Sequence, residues 1–197
     1  MRLKGGALVT KAEREAEVMK RIEWSAGYVK KAEPIIRDLL RGGHILRVEG
    51  KTEEVCRALD IVCGTDYVYI YPERHHAWGV ACRVQKYDYA NFTVRKATES
   101  GAVTELDKRR YAIRHRGIYP HLTMQMFVDD EAKTIRRIGI ARTEDIIDAI
   151  EKGIAKDGKV TKDSIGKNQF LYIDWKDMKA AGYIVQTYES PGARKIA

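Results

Sequence analysis

An aspartate, an arginine and a glutamine set the chemistry this sequence could do. Asp66 opens the run Thr65-Asp66-Tyr67-Val68-Tyr69-Ile70-Tyr71. After a polar turn, Arg83 and Gln85 close the run Ala77-Trp78-Gly79-Val80-Ala81-Cys82-Arg83-Val84-Gln85. Side chains alternate along a strand, so Arg83 and Gln85 share one face while Cys82 and Val84 share the other. If the two runs pair in register, the Asp66 carboxylate lies beside that face. The set suits a phosphodiester: a carboxylate holds Mg²⁺, an amide supplies a neutral oxygen or orients water, and a guanidinium stabilises phosphate charge. Arg83 cannot itself ligate a cation, because it stays protonated. Each residue also has a plain structural reading. Asp66 follows Gly64-Thr65 as a turn residue bonded to local backbone, and Arg83 and Gln85 suit the solvated face of a half-buried strand.

The elements that must position these residues follow from pattern and punctuation. Thr10 is an N-cap with Glu13 three residues on, a capping box that starts a helix from Lys11 to about Lys31. Pro34 opens a separate helical turn to Arg41, stopped by Gly42-Gly43. Ile45–Val48 is a short strand, and Thr52-Glu53-Glu54 begins a short helix. The runs 66–71, 77–85 and 91–96 are read as consecutive antiparallel strands, with Pro72-Glu73-Arg74-His75-His76 as the hairpin turn. A basic helix spans Thr104–Arg116. Leu122–Val128 and Ile135–Ala141 form a second antiparallel pair, and a helix runs from Thr143 to about Lys152. Residues 153–168 read as a polar loop. A strand over 170–173, a helix capped by Asp174 and a strand over 183–188 complete a single domain over residues 1–190, with a flexible tail from 191 to 197. The expected class is α/β in the α+β sense: one mixed central sheet with antiparallel hairpins, flanked by helices.

Several clusters compete for the same function. The chain of 197 residues carries a net charge of +8 and a pI near 9.3, compatible with a polyanionic partner or with a merely basic surface. Arg109, Arg110, Arg114 and Arg116 fall in the basic helix and suit phosphate contacts, while Glu105 stands one turn from Lys108 and Arg109 and suits helical ion pairing. Tyr67, Tyr69 and Tyr71 alternate on one strand face. Core packing there outweighs base stacking. His75-His76 has no third ligand nearby and reads as an exposed turn. Gly79 and Gly139 sit inside strands, where they permit close packing. The three cysteines lack CxxC spacing, which points away from zinc and disulfides and towards a reducing cytoplasm. No apolar run reaches the length of a membrane span, and the first residues lack a secretory pattern.

The order of helix, hairpin with Asp66, strand ending Arg83-Val84-Gln85, then helix resembles the PD-(D/E)XK nuclease superfamily over roughly residues 10–130. In that family an aspartate on one strand is followed on the next by an acidic residue, any residue and a lysine. The resemblance implies a restriction-endonuclease-like fold and Mg²⁺-dependent cleavage of DNA, of the kind found in phage or mobile-element enzymes. Asp66, Arg83 and Gln85 would then be catalytic. The sequence departs from the pattern at Arg83 and Gln85, so a second metal ligand must come from Glu15, Glu17, Glu53 or Glu54, with Glu54 taken beside Asp66. Two alternatives stay open: a catalytically silent DNA-binding module, and a protein that binds another protein. DNA is the expected partner, a membrane is not, and a homodimer is left open.

Overall fold

Two β-sheets and five α-helices make up the residues described by the computed structural model, 10–158, 160–163 and 166–191. Helix α1 (Lys11–Leu39) starts as the sequence predicts, with Thr10 Oγ1 accepting from the Glu13 N–H and the Glu13 carboxylate accepting from the Thr10 N–H at 2.7 Å. The separate turn expected from Pro34 is not there, because α1 runs straight through that residue. An internal proline costs about 3 kcal/mol. Val29 and Ala32 before it and Ile36 after it are at most 1% exposed against the sheet. Burying one Val or Ile contributes roughly 1.5–3 kcal/mol, so burial on both sides of Pro34 outweighs the break.

After α1 come β1 (His44–Arg47), α2 (Glu54–Arg57, continued by a π-helical turn over Ala58–Val62), β2 (Tyr67–Tyr71), β3 (His76–Gln85), β4 (Asn91–Thr98) and α3 (Glu105–Arg114). The second half holds β5 (Leu122–Asp129), β6 (Thr134–Arg142), α4 (Thr143–Glu151), β7 (Lys156–Asp157), β8 (Thr161–Asp163), β9 (Gly166–Asp174), α5 (Trp175–Ala180) and β10 (Val185–Glu189). The described residues form one α+β domain. Its six-stranded sheet has the order β1-β2-β3-β5-β6-β10 and is mixed, since β3 and β5 run parallel while the other neighbours are antiparallel. A second sheet, β4-β9-β7 with β8 also on β9, lies apart from it.

That second sheet corrects two expectations. Strand β4 does not continue the β2–β3 meander: it leaves through a bend that puts Ala90 at φ 46° and pairs with β9, so β5 takes the place beside β3. The segment 153–168 is not a loop throughout, because β7, β8 and the start of β9 fall inside it. These strands are short and polar, and backbone pairing with β9 rather than an apolar pattern defines them. The expectation for the tail at 192–197 lies outside the described residues. Among those residues, no helix is long and apolar enough to cross a membrane.

Two cores sit on opposite faces of the large sheet. One packs α1 against Tyr67, Tyr69, Tyr71, Val80, Met124, Met126 and Ile138, so the alternating tyrosines are core residues. The hydroxyls of Tyr69 and Tyr71 tie the sheet to the end of α1, donating to the Gly42 carbonyl and, at 2.8 Å, to the Leu40 carbonyl. On the other face Phe127 and Ala141 meet Phe92 and Leu171 of the small sheet, together with residues of α3, α4 and α5. Gly139 is the close approach between these layers. A Cβ there would lie 2.3 Å from the Trp175 indole, which is itself wedged between Phe92 and Phe127. Gly139→Ala is therefore expected to lower stability by about 1–3 kcal/mol, read as a lower urea midpoint at unchanged slope. An unchanged midpoint would show that the indole has room to move.

Candidate functional site

Backbone pairing at the mouth of β2 fixes the position of Asp66. Its N–H donates to the Val80 carbonyl at 3.0 Å, and its own carbonyl accepts from Val48 and Glu49, both at 2.9 Å. Tyr67 faces Val80 in the register, so Asp66 stands across from Ala81, and Arg83 follows two residues later on the same side. The hairpin thus pairs in the register that brings Asp66 and Arg83 to one face. Asp66 Oδ2 accepts from the Cys82 N–H at 2.6 Å. Parallel pairing then sets Arg83 beside Gln125 of β5.

Around Arg83 the side chains form a closed network. Its guanidinium donates to Thr93 Oγ1 at 2.9 Å and to Glu105 Oε2 at 3.0 Å, and it lies over the Phe170 ring. Thr93 Oγ1 donates in turn to Gln125 Oε1 at 3.2 Å, which leaves the Gln125 amide N–H group as the free end. Helix α3 supplies the centre. Thr104 caps it through a reciprocal pair of bonds with Asp107, Leu106 anchors it in the core, and this sets Glu105 on the first turn facing the sheets. Glu105 binds Arg83, the Arg95 N–H at 3.3 Å and Arg109 at 2.5 Å. Together with Glu49 and Lys108 these groups line a pocket of about 350 Å³.

Electrostatics gives the pocket a cationic bias. Burial alone would raise the Glu105 carboxyl, but the guanidiniums of Arg109 and Arg83 and the Arg95 N–H outweigh it and hold the group below its ordinary range. Asp66 goes the other way. Burial first, then the charge of Glu49 and more weakly Asp60 and Glu105, pushes its carboxyl up to about 8 against the single Cys82 N–H. Burial and Asp60 raise Glu49 as well. Four cationic side chains, Arg83, Arg95, Lys108 and Arg109, therefore face Glu49, Glu105 and a largely neutral Asp66 near pH 7. Three buried donors in this lining, Arg95 Nε, Arg109 Nη1 and Gln125 Nε2, have no partner among the described residues. Each such donor costs about 1–3 kcal/mol, and all three call for an acceptor.

The remaining residues singled out in the sequence lie elsewhere. Gln85 does not join Asp66: two residues beyond Arg83, it lines a separate cavity between the sheets. Arg109 is only 4% exposed and inside the network rather than on an outer basic face. Arg110 reaches Glu151 at 3.5 Å, while Arg114 and Arg116 are exposed at the end of α3. Glu54 is exposed at the start of α2 and does not line the pocket, and Glu15, Glu17 and Glu53 are exposed too. The carboxylate nearest in effect to Asp66 is Glu49. Among the described residues, no group of three or more His, Cys, Asp or Glu is placed to hold a metal ion. Magnesium commonly takes one or two carboxylates and completes its shell with water and substrate phosphate, so Glu49 and Asp66 are a pair that fits its chemistry. His75 in the turn and His76 at the start of β3 are both exposed.

Sequence reasoning passed over Glu49, Thr93, Arg95 and Gln125. The signal for three of them is visible in hindsight: Thr93 and Arg95 alternate with apolar Phe92 and Val94, and Gln125 is a lone amide within Leu122–Val128. No family model, no curated protein sequence and no solved structure matches the chain. What the site does must therefore be argued from its own groups.

Proposed function

We propose that this is a nucleic-acid-binding protein that seats a backbone phosphate in the arginine pocket beside Asp66. The observation that carries the reading is the set of buried donors without acceptors, Arg95 Nε, Arg109 Nη1 and Gln125 Nε2, in a lining with four cations. A phosphate brings several acceptor oxygens and negative charge, and charge-assisted bonds of this kind are the strong ones. Lys108 on the rim and the exposed Arg114 and Arg116 extend the positive surface along α3. The order of α1, the β2–β3 hairpin with Asp66 and then α3 supports the likeness to PD-(D/E)XK nucleases.

The test is fluorescence anisotropy with labelled single- and double-stranded DNA and RNA over a range of salt. Binding should weaken steeply with salt. Arg95→Met combined with Lys108→Ala should cost about tenfold or more in affinity, as expected for a charge-assisted bond of about 1.5–3 kcal/mol, and should flatten the salt slope by about one for each phosphate no longer neutralised. Salt-insensitive binding, or no retention of nucleic acid, would defeat the proposal. A second reading, Mg²⁺-dependent cleavage, is favoured by the Glu49–Asp66 pair. There Mg²⁺ would supply Lewis-acid stabilisation of the phosphate, held by those two carboxylates. Cleavage that requires Mg²⁺ and disappears in Asp66→Asn would establish it, and binding indifferent to EDTA without cleavage would leave a binding module.

A further inference from the structure

A cavity of about 860 Å³, larger than the arginine pocket and separate from it, opens between the two sheets. Its size falls in the range of about 300–1,000 Å³ typical of small-molecule sites. Four aromatic rings line it, from Tyr89, Phe170, Tyr172 and Trp175, with the amides of Gln85 and Asn91 between them. Two of these residues are more than nine-tenths buried and carry an unpartnered polar atom: Asn91 Oδ1, an acceptor, and Trp175 Nε1, a donor. The Trp175 Nε1 edge is turned to Gly139, so a flat ring whose edge donates would satisfy Asn91 Oδ1.

The two cavities meet at a shared wall. Thr93 lines both of them. Phe170 lines the larger one and carries the Arg83 and Arg95 guanidiniums over its ring, at 4.9 and 5.7 Å from the ring centre. An anion-seeking pocket therefore adjoins an aromatic one whose Asn91 Oδ1 asks for a donor. Nucleotides combine these two chemistries in a single molecule. Proteins that read an unstacked base do so with aromatic faces and hydrogen bonds to its edge.

We infer that the inter-sheet cavity receives the base of a single unstacked nucleotide whose phosphate occupies the arginine pocket, the sugar passing over Thr93. This rests on the reading of the arginine pocket as a phosphate site, and it adds that the preferred polymer is single-stranded or locally opened. A duplex keeps its bases stacked, and only an extruded base reaches the cavity.

Calorimetric titration of the full chain with inorganic phosphate and with adenosine and cytidine 5′-monophosphates tests this directly. The monophosphates should bind at least about fivefold tighter than phosphate, the low end of what base–aromatic stacking contributes. Asn91→Ala should reduce that advantage. So should Tyr89→Ala, at a residue 57% exposed in the bend before β4 that belongs to neither core. Monophosphates that bind no tighter than phosphate, or an advantage that survives both substitutions, would overturn the base site while leaving the phosphate pocket standing. Binding of neither phosphate nor monophosphates would remove the phosphate reading and this inference with it.

Discussion

Glu105→Ala is expected to lower stability by on the order of 3–5 kcal/mol, the cost of leaving a buried charge without its partner. Among the described residues Glu105 is the carboxylate bonded to both Arg83 and Arg109, and it also accepts from the Arg95 backbone. Without it, two guanidiniums face each other in a lining where Arg109 is 4% exposed. The pH dependence has a definite sign. The Glu105 carboxyl is held below its ordinary range in the folded protein, so the stability it contributes is complete above the unfolded value of about 4.3 and is lost as pH falls through the lower folded value. Urea unfolding near neutral pH measures the loss. Inorganic phosphate should restore part of it, because an anion that binds only the folded state stabilises it by mass action. If Glu105→Ala unfolds at the wild-type urea midpoint, Glu105 is not the hub of the network.

Asp66→Asn should do the opposite and make the protein more stable in mild alkali. The folded Asp66 carboxyl is pushed up to about 8, first by burial and then by Glu49, whereas an unfolded aspartate titrates near about 3.9. Between those values the folded chain keeps a proton that the unfolded chain releases. Stability from this group is therefore complete at about pH 4 and declines as pH rises towards 8. Each pH unit in that window costs about 1.4 kcal/mol. Asparagine still accepts from the Cys82 N–H and carries no charge, so its advantage should be near zero at about pH 4 and on the order of a few kcal/mol at about pH 8. Urea midpoints of both proteins across this window measure it. A wild-type protein that is equally stable throughout would mean that Asp66 ionises freely. Mg²⁺ offers a cross-check: if Glu49 and Asp66 hold it, it should stabilise the wild type and leave Asp66→Asn unaffected at the alkaline end.

Local chemistry made much of the fold legible. The Thr10–Glu13 capping box, the Thr104 cap of α3, the alternating Tyr67, Tyr69 and Tyr71, and the paired β5 and β6 each depend on residues close in sequence. Gly139 signalled close packing, and Trp175 proves to be what packs there. The face shared by Arg83 and Gln85 was also readable, because a strand alternates whatever it pairs with, whereas bringing Asp66 to that face took the register of β2 on β3. The errors come where a local preference met a non-local one. Pro34 argues for a break, and burial of Ile36 against a distant sheet overrides it. Nothing in Phe92–Arg95 says that its partner is β9, far along the chain, rather than β3 next door.

The sequence by itself determined an α+β chain with Arg83 and Gln85 on one strand face, an aspartate at the mouth of the preceding strand and a basic helix after them. Tertiary structure alone decided which charges meet there. It drew Glu49, Thr93, Arg95, Glu105 and Gln125 around that face and sent Gln85 to another cavity. It also changed the chemistry of Asp66 itself. An aspartate in a turn is an ordinary anion, and only burial, with Glu49 and more weakly Asp60 beside it, makes it a group that prefers its proton. Helix caps and strand faces are set by neighbours in sequence, whereas a carboxylate's charge state is set by its neighbours in space.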